Sequence, residues 1–393
     1  MNSTSSFEKP TYSLKQLTQY FLKLGTLGFG GPIALVGYMH RDLVEEKKWI
    51  SESGYQEGLT LAQVAPGPLA AQLSFYLGYI HYGVLGSALV GIAFVLPSFL
   101  IVVALGWAYT LYGGLTWMQS VFYGVGASVI GIIAISAYKL TLKTVGTDWL
   151  LWSIYVVNAV STVITESERV ELILLGGLIV WLVKSPPKNW FKNNRLNSIL
   201  AFPFLPFLGT IPTATPSLLG QIFVFFATAG SFVFGSGLAI VPFLYGGVVK
   251  DFQWLDAQQF LDAVAVAMIT PGPVVITTGF IGFLVAGLPG ACVAAIAMFI
   301  PCYLLTIIPA PYFKKHGKNR SISAFVNGVT VAATGAIAGA VIVLGQQSLK
   351  DIPTILIGLV TLGVLWQFGK KIPEPLIVAI AAILGLIIYP LVS

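Results

Sequence analysis

Eight stretches of this chain are apolar for nearly long enough, or long enough, to cross a bilayer. They run roughly over residues 85–112, 118–140, 149–164, 169–184, 290–312, 322–346, 352–368 and 374–391. A membrane-spanning helix needs about 20 such residues. Hydrocarbon offers no partner to a backbone N–H or C=O, so a crossing segment must be a helix or part of a closed barrel. Uninterrupted apolar runs, without strand alternation, select the helix. Charged residues make up 9% of the chain and hydrophobic residues 56%, with a mean hydropathy of +0.86. A soluble protein carries about 25% charged residues, so a water-facing surface is excluded. The fold class read here is an all-α polytopic membrane protein.

Three further apolar stretches are interrupted: residues 14–44 at Gly30-Gly31-Pro32, residues 52–83 at Pro66-Gly67-Pro68, and a kinked connector over 198–217 with four prolines. The chain also repeats. At a shift of 205, Gly25, Phe29, Gly30 and Ala34 lie on Gly230, Phe234, Gly235 and Ala239, with Ser236 and Gly237 opposite Gly31 and Pro32. Trp49 meets Trp254, and Pro66-Gly67-Pro68 meets Pro271-Gly272-Pro273. At a shift of 204, Gly78, Gly83, Gly86, Pro97, Gly124 and Gly131 meet Gly282, Gly287, Gly290, Pro301, Gly328 and Gly335. The chain therefore divides into a polar tail (1–13), a first repeat (14–184), a basic, Pro-rich connector (185–217) and a second repeat (218–393).

Loop charge sets orientation in membranes, with Lys and Arg kept inside. Residues 112–116 carry no charge, whereas the equivalent second-half loop holds Lys314, Lys315, Lys318 and Arg320. Equivalent loops of opposite character predict halves inserted with opposite orientation, as in many secondary transporters. A parallel duplication is the alternative. The formal charge of +6 then reads as topology and predicts no nucleic-acid partner.

Paired helix breaks need protein or a polar cavity around them. Proline suits the first position of a restarting helix, and Pro32, Pro68 and Pro273 fit that role. A helix restart aims unpaired N–H groups and a positive dipole end at the break, and glycine turns add N–H nests. Such a site binds an anion without a buried cation. The residues expected to form it are Gly30, Gly31, Pro32, Pro66, Gly67 and Pro68, with Gly235, Ser236, Gly237, Pro271, Gly272 and Pro273 in the second half. Gln63, Gln72 and Thr270, with Thr277 and Thr278, are candidate side-chain donors. Lys23, two turns before Gly30, either draws the anion in or extends to the interface. Glu57 and Asp262 are repeat mates and candidates for carrying a coupling proton, or else interfacial. Gly83, Gly86, Gly124 and Gly131 read as packing positions.

Cys292 and Cys302 share one apolar segment and the three histidines are scattered, so no disulfide framework, metal site or cofactor is expected. No Ser-His-Asp set or nucleotide loop points to an enzyme. The polar N-terminus lacks the apolar core of a signal peptide.

The ordered motifs Phe29-Gly30-Gly31-Pro32, Ala62-Gln63-Val64-Ala65-Pro66-Gly67-Pro68-Leu69-Ala70-Ala71-Gln72, Phe234-Gly235-Ser236-Gly237 and Pro271-Gly272-Pro273 resemble the chromate ion transporter family in its long two-domain form. The likeness runs from about residue 14 to 391. One departure is Ser236, where a third small, glycine-like position is expected. The resemblance implies export of chromate across the bacterial plasma membrane and chromate resistance, with sulfate as a competing or alternative substrate because both are tetrahedral dianions. A sulfate-type importer or exchanger is the other reading. The expected partners are these oxyanions, membrane lipid and a second copy of the chain as a homodimer.

Overall fold

The computed structural model describes residues 11–29, 31–112, 116–166, 169–185, 217–232, 240–311, 320–368, 372 and 374–392. Every regular element among them is helical. The first half contains α1 (Leu14–Leu27), α2 (Gly31–His40), α3 (Glu52–Val64), α4 (Leu69–Tyr112), α5 (Thr116–Thr144), α6 (Trp149–Thr165) and α7 (Val170–Lys184). The second contains α8 (Leu218–Phe232), α9 (Val241–Tyr245), α10 (Ala257–Ile269), α11 (Thr277–Ile307), α12 (Arg320–Ser348), α13 (Ile352–Phe368) and α14 (Glu374–Val392). The basic loop at 314–318, the connector from 186 to 216 and the pair Lys370–Lys371 lie outside the described residues.

The duplication extends to backbone detail. A π-helical turn follows α2 at Arg41–Glu46, and another follows α9 at Gly246–Asp251. After each, Trp49 and its mate Trp254 donate their N–H to Leu43 O and Val248 O, both at 2.8 Å. Lys48 and Gln253 take up left-handed φ values of 53° and 51°. Ser51 and Asp256 then cap α3 and α10 with a side-chain oxygen, the oxygen acceptor that a helix start requires. Matching residues thus impose matching local conformations.

Helix α4 is two arms folded on one another at Gly83. In a straight helix Gly78 and Gly86 would lie about 12 Å apart. Here a Cβ on Gly78 would come within 2.6 Å of Gly86 O, and one on Gly91 would meet the Phe75 ring at 2.3 Å. The chain reverses at Gly83, with φ 61° and ψ −153°, a conformation costly to any residue with a Cβ. Gly287 in α11 repeats it at φ 61° and ψ −155°, and Gly282 packs on Gly290 O with a Cβ distance of 2.4 Å. The first arms, 69–82 and 277–286, and the helices α3 and α10 before them are each too short to cross a core of about 30 Å. The second arms, from 84 and 288, are long and apolar.

The halves are interleaved. α4 packs on α1, α11 on α8, and α4 on α11 across the middle. Beyond them, α5 packs on α13 and α14 of the second half, while α12 packs on α6 and α7 of the first. Glycine permits each crossing. A Cβ on Gly124 would meet Ala381 O at 2.0 Å, and one on its mate Gly328 would meet Gly176 O at 2.5 Å. Backbones approach this closely in membranes only over small residues. At the helix ends Lys184 pairs with Asp148 at 2.5 Å, holding that carboxyl below its usual range. Lys250 pairs with Glu166. With five helices among the described residues long and apolar enough to cross by themselves, this is a multi-pass membrane protein.

Substituting a hairpin glycine tests this packing. Gly78→Leu and Gly282→Leu are each expected to destabilise the protein by about 3 kcal/mol through overpacking. Gly37→Ala, where an added Cβ meets nothing within 4 Å, is expected to be neutral. Thermal melts of the detergent-solubilised protein would measure the difference.

Candidate anion site at the helix breaks

Helix α3 stops at Val64 and α4 starts at Leu69; α10 stops at Ile269 and the chain resumes as a 3₁₀ turn at Val274. Pro68 and Pro273 sit one position earlier than expected, in the cap and not in the first turn: Pro68 O accepts the Gln72 N–H at 3.0 Å, and Pro273 precedes the 3₁₀ turn in extended conformation. The cap position still spares a backbone N–H. Pro32 is the second residue of α2. Gly67 and Gly272 take φ values of 143° and 92°, which turn the chain between the two prolines.

Each break lies against the other half. Gly272 donates its N–H to Gly28 O at 2.9 Å, just past the end of α1. The buried hydroxyl of Ser98, in the second arm of α4, donates to Pro271 O at 2.6 Å and lies 3.4 Å from Gly25 O. In the first half, a Cβ on Gly67 would sit 3.1 Å from Cys302 Cβ. Cys302 is the repeat mate of Ser98, and its thiol donates to Met298 O and Gly230 O at 3.1 and 3.3 Å. Pro66 O instead accepts from Gln72 Nε2 at 2.7 Å. Gln72 is fully buried, and its Oε1 has no hydrogen-bond partner among the described residues.

A cleft of about 1130 Å³ opens beside α1. Lys23, Gly28, Phe29, Arg41, Lys47 and Glu374 are among its lining residues. Arg41 is held by Asp42 at 2.8 Å and Lys47 lies over the Trp49 ring at 5.2 Å. Lys23 is exposed and has no ion pair among the described residues. Gly28, one of the lining residues, is the acceptor of the Gly272 N–H.

The remaining expected residues fall as follows. Gly31 opens α2. Gly30, Gly235, Ser236 and Gly237 lie outside the described residues. Gln63 is exposed. The hydroxyls of Thr270, Thr277 and Thr278 donate to Val266 O, Val274 O and Val275 O at 2.7, 2.7 and 3.0 Å. Their protons are thus committed to neighbouring carbonyls. Glu57 is half-buried beside Tyr76. Asp262 is 4% exposed and accepts from Tyr109 Oη at 2.8 Å and Gln258 Nε2 at 2.9 Å. The repeat mates therefore differ: one carboxyl faces a wetter setting and the other is enclosed. Sequence reasoning missed Ser98, although it follows Pro97, whose match with Pro301 places Ser98 on Cys302. Tyr109 and Gln258 were missed as well; Gln258 precedes Asp262 by one helical turn, which was a usable signal.

Gly272→Ala places a Cβ 2.1 Å from Ser98 Oγ at a φ of 92°. It is expected to cost about 1–3 kcal/mol and to abolish any rise in melting temperature that added oxyanion gives the unsubstituted protein. A thermal-shift series with chromate and sulfate would check both effects.

The profile of the family described as "Chromate transporter" matches residues 15–181 and 220–386. The chain is 81% identical over 380 residues to a "Probable chromate transport protein" of Synechococcus elongatus, covering 97% of each chain. It is 67% identical over 382 residues to the "Chromate transport protein" of Cupriavidus metallidurans, covering 97% of this chain and 95% of the other. A third relative, the "Chromate transport protein" of Pseudomonas aeruginosa, is 29% identical over 411 residues, 99% of this chain and 96% of the other. No solved structure matches the chain. With both halves matched in turn, and two relatives this similar over nearly their whole length, the chain belongs to the chromate transporter family.

Proposed function

We propose that this protein exports chromate from the cytoplasm by alternating access, with the oxyanion carried between the Pro66-Gly67-Pro68 and Pro271-Gly272-Pro273 breaks. Chromate as substrate rests on the relatives' names. The observation that carries the location is the meeting of the breaks with the opposite half through Gly28, Ser98 and Cys302. Backbone N–H groups at helix ends there supply anion-binding capacity, on the order of 0.3–2 kcal/mol per helix end. That is strong enough to select an anion and weak enough to release it.

Two placements support an inverted arrangement of the halves. The first π-helical turn lines the cleft with Glu374, which lies close to Lys139 near the C-terminal end of α5. The second π-helical turn bonds Glu166 through Lys250, just past the C-terminal end of α6. Because α6 runs back from where α5 ends, the mated turns fall at opposite ends of the bundle. The Lys139 end carries the basic segments Lys139, Lys143 and Lys184, the charge pattern of a cytoplasmic face. The cleft then opens to the cytoplasm, and Lys23 gathers the anion there. A membrane potential negative inside favours outward movement by about 2.3 kcal/mol per charge per 100 mV.

Counterflow of chromate and sulfate in proteoliposomes tests the reading. Chromate is expected to exchange across the membrane and Gly67→Leu to abolish that exchange; transport of sulfate alone would replace chromate as the substrate. Lys23→Gln is expected to raise the apparent KM for chromate about threefold at low salt, an effect fading as salt screens the charge. Asp262, enclosed by Tyr109 and Gln258, is the coupling candidate favoured over Glu57. Asp262→Asn is therefore expected to flatten the pH dependence of flux, whereas Glu57→Gln leaves it in place. Parallel pH profiles for both variants would decide between them.

A further inference from the structure

The two junctions between a break and the opposite half have the same geometry and different chemistry. Each contains a glycine of the entering helix packed on the second arm of the hairpin. A Cβ on Gly25 would meet Phe94 O at 2.2 Å, and one on Gly230 would meet Met298 O at 2.3 Å. Each places a small polar residue of that arm against the break glycine of the other half: Ser98 against Gly272, and Cys302 against Gly67. Ser98 and Cys302 even share a contact with the mated carbonyls, Gly25 O at 3.4 Å and Gly230 O at 3.3 Å.

The donors to the first proline of each break are exchanged. Pro271 O receives its bond from Ser98, a residue of the other half, at 2.6 Å. The second-half residue that could have served locally is Thr277, the mate of Gln72, and its proton goes to Val274 O. Pro66 O receives its bond from Gln72, four residues beyond Pro68 in its own half, at 2.7 Å. The cross-half residue Cys302 gives its proton to Gly230 O and Met298 O. A thiol is a weak donor, and this one is fully committed within its own half. The second break is thus fastened to the first half by two bonds, Ser98 Oγ to Pro271 O and Gly272 N to Gly28 O. Among the described residues, which leave out 233–239, the first break touches the second half at Cys302 by van der Waals contact and keeps its own donor.

We infer that Ser98 is a positioning residue that locks the second-half break to the first half, so that the halves part at the contact between Gly67 and Cys302 during transport. This rests on the transport reading above. When the halves shift, the Ser98 junction moves as one body with α1 and the second arm of α4. The Gly67–Cys302 contact separates without stranding a buried carbonyl, because Gln72 travels with Pro66. Stranding one would cost the desolvation of an unpaired polar group, and the exchange of donors avoids that cost on one side only.

The test uses the full chain in proteoliposomes with chromate flux, fitting KM and kcat separately. Cys302→Ser is nearly isosteric and gives the first junction the hydroxyl that the second one has. It is expected to add a bond across the parting surface and to lower kcat about fivefold with KM unchanged. Ser98→Ala is expected to raise KM about fivefold by loosening the second break, with Ser98→Thr restoring most of it. A Cys302→Ser protein that transports at the wild-type rate, or a Ser98→Ala protein with wild-type KM, would overturn the inference. If Ser98→Ala does not fold, the kcat of Cys302→Ser decides alone. Wild-type liposomes without chromate flux would instead count against the transport reading itself.

Discussion

In hydrocarbon, a backbone N–H or C=O without a partner costs several kcal/mol, and most of this structure answers to that rule. Helices satisfy the long arms of α4 and α11 internally. Where the chain leaves helical geometry, the partners are supplied one by one: Gly28 O for the Gly272 N–H, Ser98 for Pro271 O, Gln72 for Pro66 O. Proline reduces the problem at source by bringing no N–H to the break. The breaks are therefore the places where backbone polar groups are held by only a few named partners.

The same rule explains the glycines. Two backbones can share a groove at hairpins and crossings only if no Cβ stands between them. A Cβ added at Gly78, Gly124, Gly282 or Gly328 would stand 2.0–2.6 Å from a backbone oxygen of the facing segment. This packing brings α5 among the terminal helices of the second half and α12 among those of the first. The core is thus shared: α4 meets α11 at the middle with α1 and α8 beside them, and α5 and α12 are exchanged further out.

Much of this was legible in the amino-acid sequence. The apolar runs at 149–164, 352–368 and 374–391 became α6, α13 and α14 within a residue or two, because length and composition alone dictate a helix there. The Pro-Gly-Pro motifs marked the helix ends at Val64 and Ile269. The stretch boundary at 83–85 falls on the first hairpin, but the reversal was not legible, because an apolar sequence reads the same whether it continues or folds back. Gly83, read as a packing position, is instead the turn itself, where an added Cβ meets nothing within 4 Å. Nor was the exchange of helices legible, since one glycine-lined face looks like another until its partner is known. At the site, backbone-rich motifs were visible and the side chains that fasten them were not. Ser98 has no motif of its own, and its role comes from a carbonyl 173 residues away.

The interleaving has a consequence for how the protein is made. α5 to α7 leave the ribosome long before α12 to α14, yet α5 must pack on α13 and α14, and α6 and α7 must pack on α12. Until those last helices are made, the faces of α5, α6 and α7 lack the partners they pack on in the finished fold. The first half's final arrangement waits on the last helices of the chain. The two halves have to stay within reach of one another over that interval, and the first half alone lacks the partners of α5, α6 and α7.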